Sequence, residues 1–351
     1  MTLESSQFAC PLPLSVACDQ ITLAHGEGGR LTRMLISERL LPRLGNTTLA
    51  TLGDAAELAG MAGPLAFTTD SFVVSPLFFP GGDIGTLAVY GTVNDLVVSG
   101  ARPRWLSLSL IIEEGLAFSV LDRIIRSIAD AAKIANVEIV TGDTKVVPRG
   151  AADKIFINTS GIGELLDPIP AGPAALQVGD ELIVTGPIGR HGISILACRE
   201  NLGFEPAPRS DCAPLTAAAD LLREIGCPVQ AMRDATRGGV AAVLHEWASQ
   251  STLTMSIDEA SIPVSPDVRG ACELLGLDPL HVPNEGTMVV AVPAGWGTQT
   301  VTMLRTLEVS TGATMVGTVV PRRIDPVIVR RVMGTDQPLD EPLGSPLPRI
   351  C

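Results

Sequence analysis

Aromatic side chains are scarce in this chain: one tyrosine, three tryptophans and eight phenylalanines among 351 residues. Its cores must therefore be built from Ala, Val, Leu and Ile, which the 46% hydrophobic content supplies. Charge is also sparse, at 18% of residues, which argues against a disordered chain. There is no basic excess. The formal charge of −13 excludes the electrostatic footprint expected of a partner to nucleic acid or to an anionic membrane. No run approaches the ~20 apolar residues of a membrane span. Met1–Pro13 has no basic start and carries Glu4, so no secretory signal is expected and a cytoplasmic location is. The seven cysteines form no C-x-x-C pair and are odd in number, which suggests neither a disulfide framework nor a zinc site.

What is present points to a two-domain enzyme. The length exceeds what one core usually supports. Glycine (35) and proline (27) are abundant, as expected for short elements joined by tight turns. Helix and strand patterns mix without a clean βαβ repeat, so the class is α+β. Residues 65–74 read as a strand interrupted by a polar turn, and 83–99 as a helix. Residues 119–135 form the clearest helix, with Ser119 as cap, Asp122 completing a capping box, and Leu121, Ile124, Ile125 and Ile128 as its buried face. A strand at 137–140 is followed by a polar turn, Gly142–Lys145, and another strand at 154–160. A Gly/Pro/Ala-rich stretch near 167–175 reads as an interdomain link. Strands at 180–185, 287–292 and 314–320 and helices at 192–200, 214–225, 239–249 and 298–308 make up the second half. The domains expected are a first of 20–166 and a second of 167–332, flanked by an N-terminal extension, 1–19. From residue 333 the pattern dissolves into a proline-rich tail, 333–351, ending in Cys351. About 15 extended residues could carry that thiol some ~45 Å, into a cleft on either domain or on a neighbouring subunit. Cys351 stands apart from the other cysteines because burial beside a terminal carboxylate is costly.

Candidate chemistry clusters at element ends. Asp54, Asp70, Asp95 and Asp143 each sit at the end of an apolar run. Carboxylates in such places hold Mg²⁺, though aspartate is also common in turns and caps. His25–Arg30 is glycine-rich and precedes a helix; it suits either phosphate or a plain loop and matches neither Walker A nor G-x-G-x-x-G. Asp234–Gly239 leads into a helix, where Arg237 meets an anion or simply solvent. Lys145 and Glu285 are candidates for proton transfer, each with a solvated or turn role as the alternative. His191 either contacts phosphate or is a satisfied surface histidine.

Taken together, AHGEGGR, TTDSFVVSPLFFPGGDIG, GTVNDLVVSGARPRWLS, GLAFSVLDRI, VTGDTKVVPRG, INTSGIG, DATRGGV, CELLGLDPL and the terminal PRIC resemble the HypE family of hydrogenase maturation proteins. These are carbamoyl dehydratases of the aminoimidazole ribonucleotide synthetase (PurM-like) superfamily. The resemblance runs from about Ile21 to Cys351. It implies a PurM-like two-domain fold, with the N-terminal sheet pairing into a β-barrel across a homodimer, an α+β C-terminal domain and a flexible tail. It further implies ATP binding by Gly28, Gly29, Asp70, Asn94, Asp95, Asp143, Thr144, Lys145, Asp234 and Arg237. Mg²⁺ would fall to Asp54, Asp70, Asp95 and Asp143, and catalysis to Cys351, Lys145 and Glu285. Glu27 stands where relatives often have a small residue. The partners implied are HypF as carbamoyl donor and the HypC–HypD complex as cyanide acceptor. Arg349 would favour the thiolate of Cys351 or dock the tail. Two other readings compete: a different PurM-like kinase or synthetase, such as thiamine-monophosphate kinase or selenophosphate synthetase, and a non-catalytic assembly scaffold.

Overall fold

The computed structural model describes residues 19–344 and 349–351. Most of the expected extension and Pro348 of the terminal motif therefore lie outside the described residues. The first domain opens with short helices α1 (Arg30–Leu35) and α2 (Leu41–Leu44). Strand β1 (Leu65–Phe72), the brief strands β2 (Phe78–Phe79) and β3 (Gly82–Asp83), and helix α3 (Ile84–Val98) follow. Asp83 caps α3 by accepting from the Gly85 and Thr86 amides, while the Thr86 hydroxyl accepts from the Asp83 amide. Then come β4 (Ala101–Glu113), α4 (Phe118–Ile134), β5 (Glu138–Val147) and β6 (Ile155–Leu165). The sheet runs β1-β6-β4-β5, antiparallel except for the β4–β5 pair. α3 is apolar nearly all round and buried nearly throughout, as a helix must be when it lies between two layers.

Three local expectations are corrected. The polar stretches Thr68–Asp70 and Gly142–Lys145 are not turns; both stay in strand. Their side chains alternate between faces: Thr69 lies on the outer face in a row with Ser160 and Ser107, while Thr68 and Asp70 turn toward α3. Gly142 allows the close β4 approach, because a Cβ there would stand 2.3 Å from the Leu108 carbonyl oxygen. α4 begins at Phe118, so Ser119 is not its cap. Asp122 instead pairs with Arg39 and Arg43 at 2.5 and 3.4 Å, a better use of a carboxylate than a single backbone amide.

The second domain contains β7 (Glu181–Val184), α5 (Arg190–Arg199), α6 (Thr216–Glu224), β8 (Ala231–Asp234) and α7 (Gly239–Ser251). It continues with β9 (Thr254–Asp258), α8 (Pro266–Leu275), β10 (Met288–Val292), α9 (Gly297–Leu304), β11 (Thr314–Val320), β12 (Val327–Arg330) and β13 (Asp336–Pro338). Its sheet order is β13-β12-β9-β11-β7-β10-β8, with only β9–β12 parallel. β10 is buried on both sides. Met288, Val290 and Val292 join a core shared with the first domain, while Val289 and Ala291 face the core that includes α7. The shared core runs from Ile84 and Leu87 of α3 to Ile193 of α5 and Leu215, so the two domains are joined through packed hydrocarbon.

β13 extends the ordered second domain past residue 332. Arg330 pairs with Asp336, Leu339 is buried, and its carbonyl oxygen lies 3.0 Å from His245 Nε2. The tail therefore does not leave the body at 333.

Asn94 is spent on structure. Its amide nitrogen donates to the carbonyls of Ala213 and Glu285, and its oxygen accepts from the Leu215 amide at 2.8 Å. These bonds tie α3 to loops of the second domain and leave no donor for a nucleotide. Asn94→Ala should cost about 2–4 kcal/mol, because the Ala213 carbonyl and the Leu215 amide lose their partner and the Glu285 carbonyl keeps only the Ala213 amide at 3.4 Å. Chemical denaturation would check this; an unchanged midpoint would show that the clamp carries no load.

Candidate functional site

At the domain junction a cavity of about 140 Å³ is lined by Thr69, Asp70, Gly91, Asp95, Arg233, Asp234, Thr236, Arg237, Glu285 and Cys351. β1 supplies Asp70, α3 supplies Gly91 and Asp95, and β8 ends on Asp234. Gly91 keeps the wall thin: a Cβ there would press on the Phe72 ring at 2.8 Å. Asp95 is oriented by the Thr68 hydroxyl, which donates to it at 2.9 Å.

The loop carrying Glu285 is built around Asp211, a residue the sequence reading did not single out. The Asp211 carboxylate accepts from the Glu285 and Gly286 amides and the Thr287 hydroxyl, at 3.0–3.1 Å. Only glycine fits at 286, since a Cβ would fall 1.8 Å from the Asp211 carbonyl oxygen. Asn284 adds a second brace, accepting from the Gly189 amide and donating to the Ala235 carbonyl. The base candidate thus sits on a loop with its backbone groups satisfied.

Burial dominates the electrostatics. It raises the carboxyl groups of Asp70 and Asp95, with Asp95 adding repulsion at Asp70. Burial, then the Asp95 charge, lifts Asp234 to about 6. Glu285 is pushed well above the ordinary range by burial and then by Asp234 and Asp211. The Cys351 thiol is raised to about 12 by burial and the Glu285 charge, against the opposing pull of Arg237. Such a thiol stays protonated at neutral pH. Arg349 does not make it a thiolate; the guanidinium pairs with Asp153 at 2.6 Å.

The end of the chain is seated in its own chain's cavity. The Val73 amide donates to the Cys351 carbonyl oxygen at 3.1 Å, and the Ser75 amide to that of Arg349 at 3.3 Å. Arg199 donates to the Arg349 carbonyl at 2.6 Å and to Ser75 at 2.9 Å. His191 meets the Ile350 carbonyl at 2.9 Å, and Ile350 is buried in the shared core. His191 is itself fully buried, so it is neither a surface histidine nor a group lining either cavity.

The remaining candidates divide. Gly28, Asp143, Thr144 and Lys145 line a separate, larger cavity of about 540 Å³ between β5 and residues 26–56, with apolar walls from Ile36, Leu40 and Leu44. Gly29 and Asp54 are exposed and line neither. Within one chain, then, the four aspartates expected to share a cation do not converge, and Lys145 does not share a cavity with Cys351. Among the described residues no group of three or more His, Cys, Asp or Glu side chains is arranged as a ready metal cage. Asp70, Asp95 and Asp234 nonetheless line the same cavity.

Comparison with known proteins agrees with this architecture. The AIR synthase related protein N-terminal domain matches residues 53–165, and the C-terminal domain matches 177–330. The carbamoyl dehydratase HypE of Escherichia coli (strain K12) is 46% identical over 338 residues, covering 95% of this chain and 100% of that protein. A crystal structure of hydrogenase maturation protein HypE in complex with ATP is 43% identical, with a TM-score of 0.90 over 94% of this chain and 99% of that one. A HypE–HypF complex superposes with a TM-score of 0.77 at 42% identity, over 88% of this chain and 99% of that one. A terminal cysteine held among buried carboxylates on this two-domain frame, with identity of this extent along the whole length, shows that the chain belongs to the HypE family of carbamoyl dehydratases.

Proposed function

We propose that this protein dehydrates a carbamoyl group carried on Cys351 to a thiocyanate at the expense of ATP, supplying the cyanide ligand for the iron of a NiFe hydrogenase. The observation that carries the reading is the seating of Cys351 against Glu285 in the junction cavity. HypF is the proposed carbamoyl donor, in keeping with the HypE–HypF complex of a relative. The HypC–HypD complex is the proposed acceptor of the cyano group.

The chemistry follows from the groups present. The amide oxygen of the thiocarboxamide attacks the γ-phosphate of ATP, the β–γ anhydride bond breaks to release ADP, and the oxygen, a poor leaving group, now departs as phosphate. Two protons leave the nitrogen, phosphate departs, and S–C≡N remains. Glu285 is the base: a buried carboxylate with an elevated pKa is basic enough for an amide nitrogen made acidic by O-phosphorylation. Arg237 supplies positive charge at the phosphoryl oxygens. Mg²⁺, held by Asp70, Asp95 and Asp234, would offset phosphate charge. Lys145, Asp143, Thr144 and Gly28, on the larger cavity, are proposed to reach the nucleotide rather than the thiol. A thiol raised to about 12 is a poor nucleophile while seated, so carbamoylation is assigned to a tail that has left the cavity. The seated state suits the neutral thiocarboxamide.

The homodimer is proposed from the outer face of the first sheet. Phe67 is 70% exposed and Leu65 53%, on β1, which is the edge strand of that sheet and pairs with β6 alone among the described residues. Apolar groups on an open sheet face are covered most simply by a second copy closing a barrel.

Three outcomes test this reading. After incubation with HypF, carbamoyl phosphate and ATP, mass spectrometry of the C-terminal peptide should show a carbamoyl adduct on Cys351. That adduct should lose one water only with hydrolysable ATP. Cys351→Ala should abolish the adduct and keep ATP binding, while Glu285→Gln should keep the adduct and slow dehydration about 10²–10⁴-fold. An adduct that ATP never dehydrates would refute the proposal. The second outcome concerns Mg²⁺. Asp70, Asp95, Asp234 and Glu285 all hold protons more tightly folded than unfolded, so their contribution to stability falls as pH rises from about 4 through 6 and beyond. Added Mg²⁺ should therefore raise Tm more at pH 8 than at pH 5; an equal rise at both would argue against a carboxylate-held cation. The third is Phe67→Asp, which should convert a dimer into monomer in sedimentation velocity; a wild-type monomer would remove the barrel.

A further inference from the structure

We infer that His191 is a positioning residue that fixes the depth of Cys351 in the reaction cavity and couples that seat to the loop carrying Glu285. The inference rests on the proposed reaction on Cys351 and adds to it the group that brings thiol and base into register.

Both ring nitrogens of His191 are engaged. The Ile350 carbonyl oxygen, 2.9 Å from Nε2, can only accept, so Nε2 carries the proton. Nδ1 is then the acceptor and takes the Ser210 hydroxyl proton at 2.8 Å. The Ser210 oxygen in turn accepts from the Cys212 amide at 3.0 Å. The ring is held edge-on by Phe79, with centroids 5.5 Å apart and planes at 84°. Nothing about α5 requires a histidine at a fully buried position. An aliphatic residue would fill the space without the cost of desolvating an imidazole, and that cost makes sense only if its donor has a fixed acceptor. The acceptor is the carbonyl joining Ile350 to Cys351, one bond from the reacting residue.

The same histidine is linked to the base loop by two routes. One runs through Ser210 to its neighbour Asp211, whose carboxylate grips the amides of Glu285 and Gly286. The other runs along the start of α5, where the Gly192 amide donates to the Pro283 carbonyl at 3.0 Å and the Gly189 amide to Asn284 at 2.7 Å. The seat of the tail and the seat of the base therefore share one hydrogen-bonded frame. Arg199 and Asp153 hold Arg349 farther out, which anchors the tail without setting the height of its last residue. A displacement of about 1 Å at Cys351 can cost on the order of 10²-fold in the chemical step.

The experiment separates seating from carbamoyl loading. In His191→Ala, HypF-dependent carbamoylation of Cys351 should proceed at least as fast as in wild type, while the single-turnover dehydration rate falls about 10–100-fold. Alkylation of the C-terminal peptide by iodoacetamide should rise at least tenfold, as the thiol spends more time outside the cavity. His191→Gln, which keeps a donor near the Nε2 position, should recover most of the dehydration rate. If wild-type protein fails to dehydrate the adduct, the proposed reaction itself is wrong. If wild type dehydrates and His191→Ala matches it in rate and in Cys351 protection, the inference is overturned. A second measurement needs no change in the core. The chain has only four histidines, so ¹⁵N-histidine spectra can follow the His191 Nε2 proton directly. Removing Ile350 and Cys351 should speed its exchange with water at least tenfold, while Cys351→Ala should leave it protected. Unchanged exchange in the shortened chain would also overturn the inference.

Discussion

Holding four carboxyl groups out of water at one domain junction is the constraint on which the rest of this structure depends. Asp70, Asp95, Asp234 and Glu285 repel one another and are poorly hydrated, and each resists ionisation as a result. Left to itself such a cluster would pry the domains apart. The shared hydrocarbon core beneath it, the Asn94 clamp and the Asp211 brace oppose that tendency. The arrangement is a stability cost accepted at a functional site and offset elsewhere. In the proposed reaction this makes a place where phosphate, cation and a basic carboxylate would meet with little competing water.

Much of the fold was legible from periodicity. α4, α7 and β10 are strong patterns, and the structure keeps each within a few residues of its expected bounds. The errors came where tertiary pairing overrode local chemistry. Thr68–Asp70 and Gly142–Lys145 look like turns, yet the pairing of β1 with β6 and of β5 with β4 runs through both and keeps them extended. The Ser119 cap failed because Phe118 packs beneath the Arg39 guanidinium, 4.4 Å from its ring centroid, and starts the helix earlier.

The site was legible in part. Cys351, Glu285, Asp70, Asp95, Asp234 and Arg237 were named from motifs and are found on one cavity. The family resemblance, not spacing, carried them there. Asp143 and Lys145 were grouped with them because motifs carry no distances; the structure gives them another cavity. Asp211 and the role of His191 were missed. Asp211 lies in an irregular, proline-rich loop with no periodicity to mark it. The one clue was Asn284-Glu285-Gly286, three consecutive residues whose backbone and side-chain groups must find partners from outside the strand that follows.

The pairing of β13 with β12 also changes the arithmetic of the tail. With the Leu339 and Asp340 carbonyls held by His245 and His281, only about eleven residues separate the last anchor from Cys351. Fully extended, these span at most roughly 35–40 Å. A tether that short holds the terminal cysteine at an effective concentration near the millimolar range around its own cavity. The few bonds that seat it need therefore have only weak intrinsic affinity to keep the cavity filled. Any protein that takes the thiol competes against that local concentration, so it must bring binding energy from surfaces well away from the cysteine itself.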